Sequence, residues 1–135
     1  KADAILDNLG DDSANYITHR LYRDSCTEIN GKLVKDLSAL GRDIRKIVIV
    51  DDCVFRYSLQ PRNAIPLMCY QGNPNDEELD CLFEVLLEVS TEEDVRDFLG
   101  TQFPELHDSE TGIPNQLEEH ALNTGFVAAR LGSYL

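Results

Sequence analysis

Two adjacent carboxylates, Asp51 and Asp52, follow directly after an apolar run, residues 47–50 with the letters IVIV. A continuous apolar run of this kind is typical of a strand that is covered on both faces. In open α/β sheets, ligand sites gather at the carboxyl ends of the strands. Carboxylate oxygens at such a place suit Mg²⁺, which takes hard oxygen ligands and keeps several waters. The alternative is a solvated turn in which Asp52 caps the following segment, and the local pattern leaves both interpretations open.

Two basic residues could complete a phosphate site beside these carboxylates. Lys35 follows a predicted strand, and a lysine next to a metal-carboxylate site can hold a phosphate oxygen and offset charge during phosphoryl transfer. Arg23 comes after the letters HRLY, and its guanidinium group has a geometry that suits phosphate oxygens. The alternatives are an ordinary surface lysine and a surface ion pair.

The charge of the chain restricts its partners. Its 135 residues are enough for one ordinary domain, and 25 acidic residues against 12 basic ones give a net charge of −13. This balance argues against nucleic acid or an anionic membrane surface as the main partner, since both require a basic face. The sequence contains no apolar run of membrane-spanning length.

The cysteine pattern indicates an intracellular protein. No CxxC pair and no histidine at a zinc-like spacing accompanies the four cysteines, so we expect them to be buried, reduced thiols. They are Cys26, Cys53, Cys69 and Cys81. The nucleus or the cytoplasm is the expected location, with the mitochondrion as the alternative.

The first half of the chain shows a helix followed by strand patterns. Residues 2–9 have the spacing of a short helix that ends at Gly10, and residues 16–25 have the composition of a strand. The Asn30-Gly31 pair predicts a tight hairpin over Thr27 to Val34. Residues 64–70 predict another short strand, placed toward a sheet edge by its proline.

The second half is helical and acidic. Residues 76–89 predict an amphipathic helix, and residues 90–100 predict a second helix ending at Gly100. The apolar stripe expected on the first helix consists of Leu79, Leu82, Phe83, Leu86 and Leu87. The acidic faces of both helices are interpreted either as ordinary solvated surface or as a docking surface for a basic partner. Helices and few strands together predict an α/β layered domain of which this chain is a part.

Three stretches of the chain resemble one protein family. They are LYRDSC, KLVKDLSALGRDIRKIVIVDD and LQPRNAIPL, within a resemblance that runs from about residue 1 to 99. The chain is similar to the haloacid-dehalogenase-type phosphatases of the RNA polymerase II C-terminal-domain (CTD) phosphatase group, including the small CTD phosphatases and the dullard-like enzymes. The resemblance implies a HAD-like Rossmannoid parallel sheet flanked by helices. Residues 1–103 would be the C-terminal part of that domain, and residues 104–135 an extension with a linker and a short helix.

The resemblance also implies roles for the residues singled out above. Lys35 would steady the phosphate and the nucleophile, Asp51 and Asp52 would help to bind Mg²⁺, and Arg23 would help to orient the phosphate. Lys35 and Asp51 are thus the candidate catalytic residues. Most small CTD phosphatases have Asp-Asn where this chain has Asp51-Asp52, and a second carboxylate remains compatible with Mg²⁺.

The family's nucleophile motif, Asp-x-Asp-x-Thr, does not occur in this sequence. We therefore expect an upstream segment to supply it and to pair with this chain, which alone is predicted to be inactive. The expected function of the intact protein is Mg²⁺-dependent hydrolysis of phosphoserine and phosphothreonine in a phosphoprotein, through an aspartyl-phosphate. The alternative is an inactive HAD-like binding or scaffold protein, such as a mitochondrial import receptor domain.

Overall fold

A short helix lies near the start of the chain. The computed structural model describes residues 2–8 and 17–107, and its first helix, α1, covers Ala2–Leu6. The helix predicted here is confirmed over these residues, while its predicted end at Leu9 and Gly10 lies outside the described residues.

The strand predicted over residues 16–25 is wrong within the described part of the chain. Residues 17–22 belong to no strand, and Arg23–Ser25 form a 3₁₀ turn. The segment is instead held to α1 by Arg20, whose Nη1 lies 3.2 Å from Asp3 Oδ1 in that helix and 2.8 Å from Asp7 Oδ1 just after it. Residues with high β propensity favour a strand when one face of it is buried. Here the side chains of His19, Leu21 and Tyr22 are exposed, so this stabilisation is missing.

An antiparallel hairpin follows, as the sequence predicts. Strand β1, Thr27–Ile29, pairs with strand β2, Lys32–Val34. The turn residues Asn30 and Gly31 have φ values of 51° and 75°, which is the backbone of the tight turns that match the twist of a hairpin. Val34 at the end of β2 is fully buried, and the ammonium of Lys32 lies 3.9 Å from the centre of the Phe55 ring, so β2 packs against the 3₁₀ turn Val54–Tyr57.

A two-stranded parallel sheet forms the centre of the molecule and confirms the predicted α/β class. Strand β3, Ile49–Asp51, pairs with strand β4, Ala64–Pro66, with Asp51 opposite Pro66. Two 3₁₀ turns, Val54–Tyr57 and Pro61–Asn63, carry the chain from one strand to the next. Ile49 and Ile65 are buried, as expected for strands that are covered on both faces.

A buried asparagine fixes the start of β4. Asn63, 2% exposed, donates both amide hydrogens from Nδ2 to backbone carbonyl oxygens, those of Ile44 and Ile47, at 2.7 Å each. These two residues lie just before β3, so Asn63 joins the chain that enters β3 to the chain that enters β4. Buried polar groups are stable only when paired in this way.

Three helices complete the core. They are α2 (Glu78–Val89), α3 (Val95–Gln102) and α4 (Pro104–His107). The residues that pack together between them and the sheet include Ile47, Ile49, Tyr57, Ile65, Val85, Val89, Leu99, Phe103 and Leu106. Since Leu106 belongs to this core, α4 packs with the preceding elements; the division of the chain at residue 103 stays a prediction. No helix within residues 2–8 and 17–107 has the length and apolar character needed to span a bilayer.

The predicted apolar face of α2 is partly wrong. Its buried residues are Cys81, Leu82, Val85 and Val89, whereas three members of the predicted stripe point outward. Leu79, Phe83 and Leu87 are 70%, 59% and 49% exposed. Helical spacing alone did not decide the orientation because α2 has apolar residues on two overlapping faces.

The cysteine prediction is also corrected. All four cysteines are reduced thiols, but only Cys81 is buried, while Cys69 is exposed and Cys26 and Cys53 are half-buried. An apolar sequence neighbourhood therefore did not guarantee burial of the thiol.

Asp94 is the N-cap of helix α3, and its carboxylate makes the stability of the fold depend on pH. Asp94 accepts hydrogen bonds from Arg96, both from its backbone N at 3.0 Å and from its guanidinium Nη2 at 2.6 Å. The side-chain bond is the main reason that the pKa of Asp94 falls from 3.8 to about 2. A carboxyl group whose pKa is lower in the folded state stabilises the fold above its unfolded pKa, and this contribution is lost as pH falls through the folded pKa.

Replacement of Asp94 by asparagine should therefore flatten the acid limb of the stability curve. Asparagine caps a helix as well as aspartate does, so the difference between wild type and variant should be largest above pH 4 and should shrink toward pH 2. Urea unfolding measured at several pH values between neutrality and pH 2 tests this. Asp24→Asn, at an exposed aspartate, is the control. Parallel curves for wild type and the Asp94 variant would contradict the prediction.

Candidate functional site

The carboxylate of Asp51 lies at the carboxyl end of β3, beneath the protein surface. Its side chain is only 3% exposed, and its Oδ1 accepts a hydrogen bond from the backbone N of Cys53 at 2.9 Å. An aspartate that bonds to the backbone two residues later forms a local turn. The 3₁₀ turn that follows, Val54–Tyr57, has Cys53 at its N-cap and no side-chain cap, so the capping role considered for Asp52 is wrong. The bond from Cys53 holds the Asp51 carboxylate in one orientation.

Lys35 meets Asp51 from the hairpin. Its Nζ lies 2.5 Å from Asp51 Oδ2, while its backbone N donates to the carbonyl of Arg56 at 2.8 Å. The hairpin is thereby fixed to the 3₁₀ turn that follows β3, and the side chain of Lys35, 45% exposed, reaches from solvent to a buried carboxylate. The structure brings together two residues that are separated by 16 positions and that the sequence singled out independently.

A second cation, Arg56, was missed by the sequence analysis. Its Nη1 lies 3.3 Å from Asp51 Oδ1 and 3.5 Å from Asp52 Oδ1. Asp52 and Arg56 are four residues apart, a spacing that brings side chains together on a helical turn. The letters DDCVFR therefore carried a signal that could have found this residue. With Lys35, it gives the site two positive charges against two carboxylates.

Asp52 differs from Asp51 in its exposure. Its side chain is 42% exposed, and it also accepts a hydrogen bond from the thiol of Cys69, which raises the pKa of that thiol. The thiol of Cys69 thus stays protonated and acts here as a donor. Asp52 is the carboxylate of the pair that solvent reaches.

Arg23 does not join this cluster. It lies exposed in the 3₁₀ turn Arg23–Ser25, and no hydrogen bond or ion pair links it to Lys35, Asp51 or Asp52 within the described part of the chain. Its predicted role in binding phosphate stays a prediction.

The carboxylates fit the oxygen chemistry of a magnesium ion, but they do not form a complete metal cage. Within residues 2–8 and 17–107, no group of three or more His, Cys, Asp or Glu side chains is arranged to hold a metal. Mg²⁺ is usually bound through one or two carboxylates together with water and substrate phosphate, so a pair such as Asp51 and Asp52 suits it. Both oxygens of Asp51 already have partners in Lys35, Arg56 and the backbone of Cys53.

An α/β sheet with a lysine and paired aspartates at the end of a strand defines a candidate phosphate-handling site. Comparison with known families agrees: the model of the NLI interacting factor-like phosphatase family matches residues 1–96. The chain belongs to this family.

Three relatives show how the match is distributed. The chain is 40% identical over 92 residues to "CTD small phosphatase-like protein 2" of Dictyostelium discoideum, covering 68% of this chain and 16% of the relative. It is 42% identical over 95 residues to "Probable C-terminal domain small phosphatase" of the same organism, covering 70% and 30%. It is 40% identical over 99 residues to human "Carboxy-terminal domain RNA polymerase II polypeptide A small phosphatase 2", covering 73% and 36%. The chain thus spans between about a sixth and a little over a third of the length of these relatives.

Proposed function

We propose that this chain is the part of a Mg²⁺-dependent phosphoserine and phosphothreonine protein phosphatase that holds the phosphate and the metal. The observation that carries the proposal is the contact between Lys35 and the buried Asp51 at the carboxyl end of β3. A buried carboxylate held between two cations is expensive to maintain for stability alone, since burial removes its hydration. Charged groups in such environments cluster at functional sites, so a role in chemistry accounts for this arrangement better than a role in stability.

The proposed reaction needs an aspartate from an upstream segment. One oxygen of that aspartate would attack phosphorus and form an aspartyl-phosphate, while the bond from phosphorus to the serine or threonine oxygen breaks and a second upstream aspartate donates a proton to that oxygen. Water, losing its proton to the same second aspartate, would then attack phosphorus, release inorganic phosphate and restore the nucleophile. Strand β3 is paired only with β4 among the described strands, so its other edge is the place where we expect the upstream strand to pair.

The residues of this chain would bind and neutralise. Lys35 would donate to a phosphate oxygen and offset the charge that develops in the transition state. Asp51 and Asp52 would hold Mg²⁺, directly or through water, and the ion would supply positive charge to the phosphate oxygens. Arg56 would keep the two carboxylates charge-balanced before substrate arrives.

The test uses the longer protein, extended at its N terminus to include the proposed Asp-x-Asp-x-Thr segment. We expect it to hydrolyse an aryl phosphate in the presence of Mg²⁺ and to lose that activity in EDTA. Asp51→Asn should lower kcat/KM by about 100-fold or more, whereas Asp43→Asn, at an exposed ion pair with Arg45, should leave it near wild type.

Two results would contradict the proposal. One is activity that neither EDTA nor Asp51→Asn reduces, because the site described here would then not be the site of reaction. The other is a folded longer protein with no turnover, which would favour the alternative of an inactive HAD-like binding protein.

A further inference from the structure

Helix α2 carries an apolar row that none of the other described elements covers. Leu79, Phe83 and Leu87 are spaced four residues apart and are 70%, 59% and 49% exposed. They extend along about 12 Å of the helix. Single exposed apolar residues are ordinary, but a contiguous row on one helix face is a feature of binding surfaces.

An acidic row runs beside the apolar one. Asp80, Glu84 and Glu88 are exposed, and each follows a residue of the apolar row, so the acidic row runs parallel to the apolar row about 100° further around α2. None of the three carboxylates forms an ion pair within residues 2–8 and 17–107. Residues 76–107 contain a single Lys or Arg residue, Arg96, and it pairs with Asp94.

The acidic row destabilises the isolated helix. Like charges at a spacing of four residues repel one another, and the row contains two such pairs, Asp80 with Glu84 and Glu84 with Glu88. The exposed leucine and phenylalanine side chains of the neighbouring row also cost free energy, because their apolar surface stays in contact with water. A ligand that brings apolar side chains flanked by positive charge would relieve both costs together.

We propose that this face of α2 docks a basic amphipathic helical segment of a partner protein. Apolar side chains of that segment would pack on Leu79, Phe83 and Leu87, and its Lys or Arg residues would pair with the acidic row. The complementary charge identifies the partner class, because a segment with apolar spacing alone would leave the carboxylates unpaired. Amphipathic helices commonly bind apolar surfaces in this way, through apolar side chains that are spaced about one helical turn apart.

The charge of the chain disfavours two other occupants. A second copy of this chain would place one acidic row against another. The segment from residue 108 to 135 contains four acidic residues, Asp108, Glu110, Glu118 and Glu119, against one basic residue, Arg130. Neither can neutralise the acidic row, so a partner with net positive charge fits best.

The experiment measures binding of a designed probe to the longer protein that includes the proposed upstream segment. The probe is a fluorescent helical peptide of about 18 residues, or five turns, with Leu on one face and Lys on the other. A second peptide with Glu in place of Lys has the same apolar face. We expect the Lys peptide to bind and the Glu peptide not to bind.

Two variants separate the apolar contribution from simple charge attraction. Phe83→Ser leaves the net charge unchanged and should weaken binding of the Lys peptide by about tenfold or more, as loss of a central aromatic contact does. Tyr70→Ser removes an equally exposed aromatic side chain, 66% exposed, and should leave binding unchanged. Glu84→Gln should weaken binding and reduce its dependence on salt.

Several outcomes would overturn the proposal. Equal binding by wild type and the Phe83 variant would show that the Lys peptide is attracted only by the net charge. Dimers in sedimentation that Phe83→Ser disrupts would assign the face to a second copy. Protection of α2 from hydrogen exchange in the longer protein without any partner would assign it to a segment of the same protein.

Discussion

Replacement of Lys35 by methionine is expected to lower the kcat/KM of the longer protein by about 100-fold or more. The methionine retains most of the aliphatic volume but removes the ammonium group that lies 2.5 Å from Asp51 Oδ2. Asp51 would keep Arg56 and the backbone N of Cys53 as partners, but the positive charge that Lys35 offers to an incoming phosphate would be gone. The loss should therefore appear in the reaction more than in the fold.

The free energy of unfolding separates an effect of Lys35→Met on the reaction from an effect on the fold. Because the side chain of Lys35 is 45% exposed, loss of its bond to Asp51 should cost about 1–3 kcal/mol of unfolding free energy. Lys35→Arg keeps the positive charge and should lose less activity than Lys35→Met at a similar stability.

Lys46→Met is the matched control for the change in charge. Lys46 lies before β3, at the opposite end from Asp51, and its Nζ donates to the backbone carbonyl of Glu92. It should retain activity near that of wild type. If Lys35→Met and Lys46→Met reduced activity equally, the contact with Asp51 would have no special role in the reaction.

The sequence predicted the structural features that depend on neighbouring residues. The Asn30-Gly31 turn fixed the hairpin because its two positive φ values favour these residue types. The apolar run before Asp51 marked a buried strand, and the carboxylate at its end is indeed part of a charged cluster with Lys35. The hairpin turn and the buried strand could be found because each is encoded within a few neighbouring residues, whereas the contact between Lys35 and Asp51 spans 16 positions.

Features that depend on distant contacts were not predicted. Arg56 is an exception, because its spacing of four residues from Asp52 was a local signal that was not used. The strand predicted to carry Arg23 does not form, and Arg23 lies in an exposed turn, while its role in binding phosphate stays a prediction. The orientation of α2 follows from which side meets the core, and spacing alone could not distinguish Val85 from Phe83.

Asn63 is the residue whose importance the sequence concealed most completely, and its replacement by alanine is expected to cost about 2–4 kcal/mol of unfolding free energy. The substitution removes both hydrogen bonds from Nδ2, which leaves the carbonyl oxygens of Ile44 and Ile47 without these donors. At 2% exposure, water does not readily replace them. Urea unfolding at neutral pH measures the loss, and Asn75→Ala, at an exposed asparagine, should change stability by no more than about 0.5 kcal/mol.

A variant of the same shape tests the reason. Asn63→Asp has nearly the same volume as asparagine, but its ionised carboxylate offers no hydrogen to either carbonyl and faces two oxygen atoms that repel it. It should destabilise at neutral pH at least as much as Asn63→Ala, and part of the loss should be recovered in acid, where a protonated carboxyl can donate one hydrogen bond. If Asn63→Asp were instead as stable as wild type at neutral pH, filling the space would matter rather than donation. The connection between the entries to β3 and β4 would then rest on packing, and the position of Asp51 at the end of β3 would not depend on Asn63.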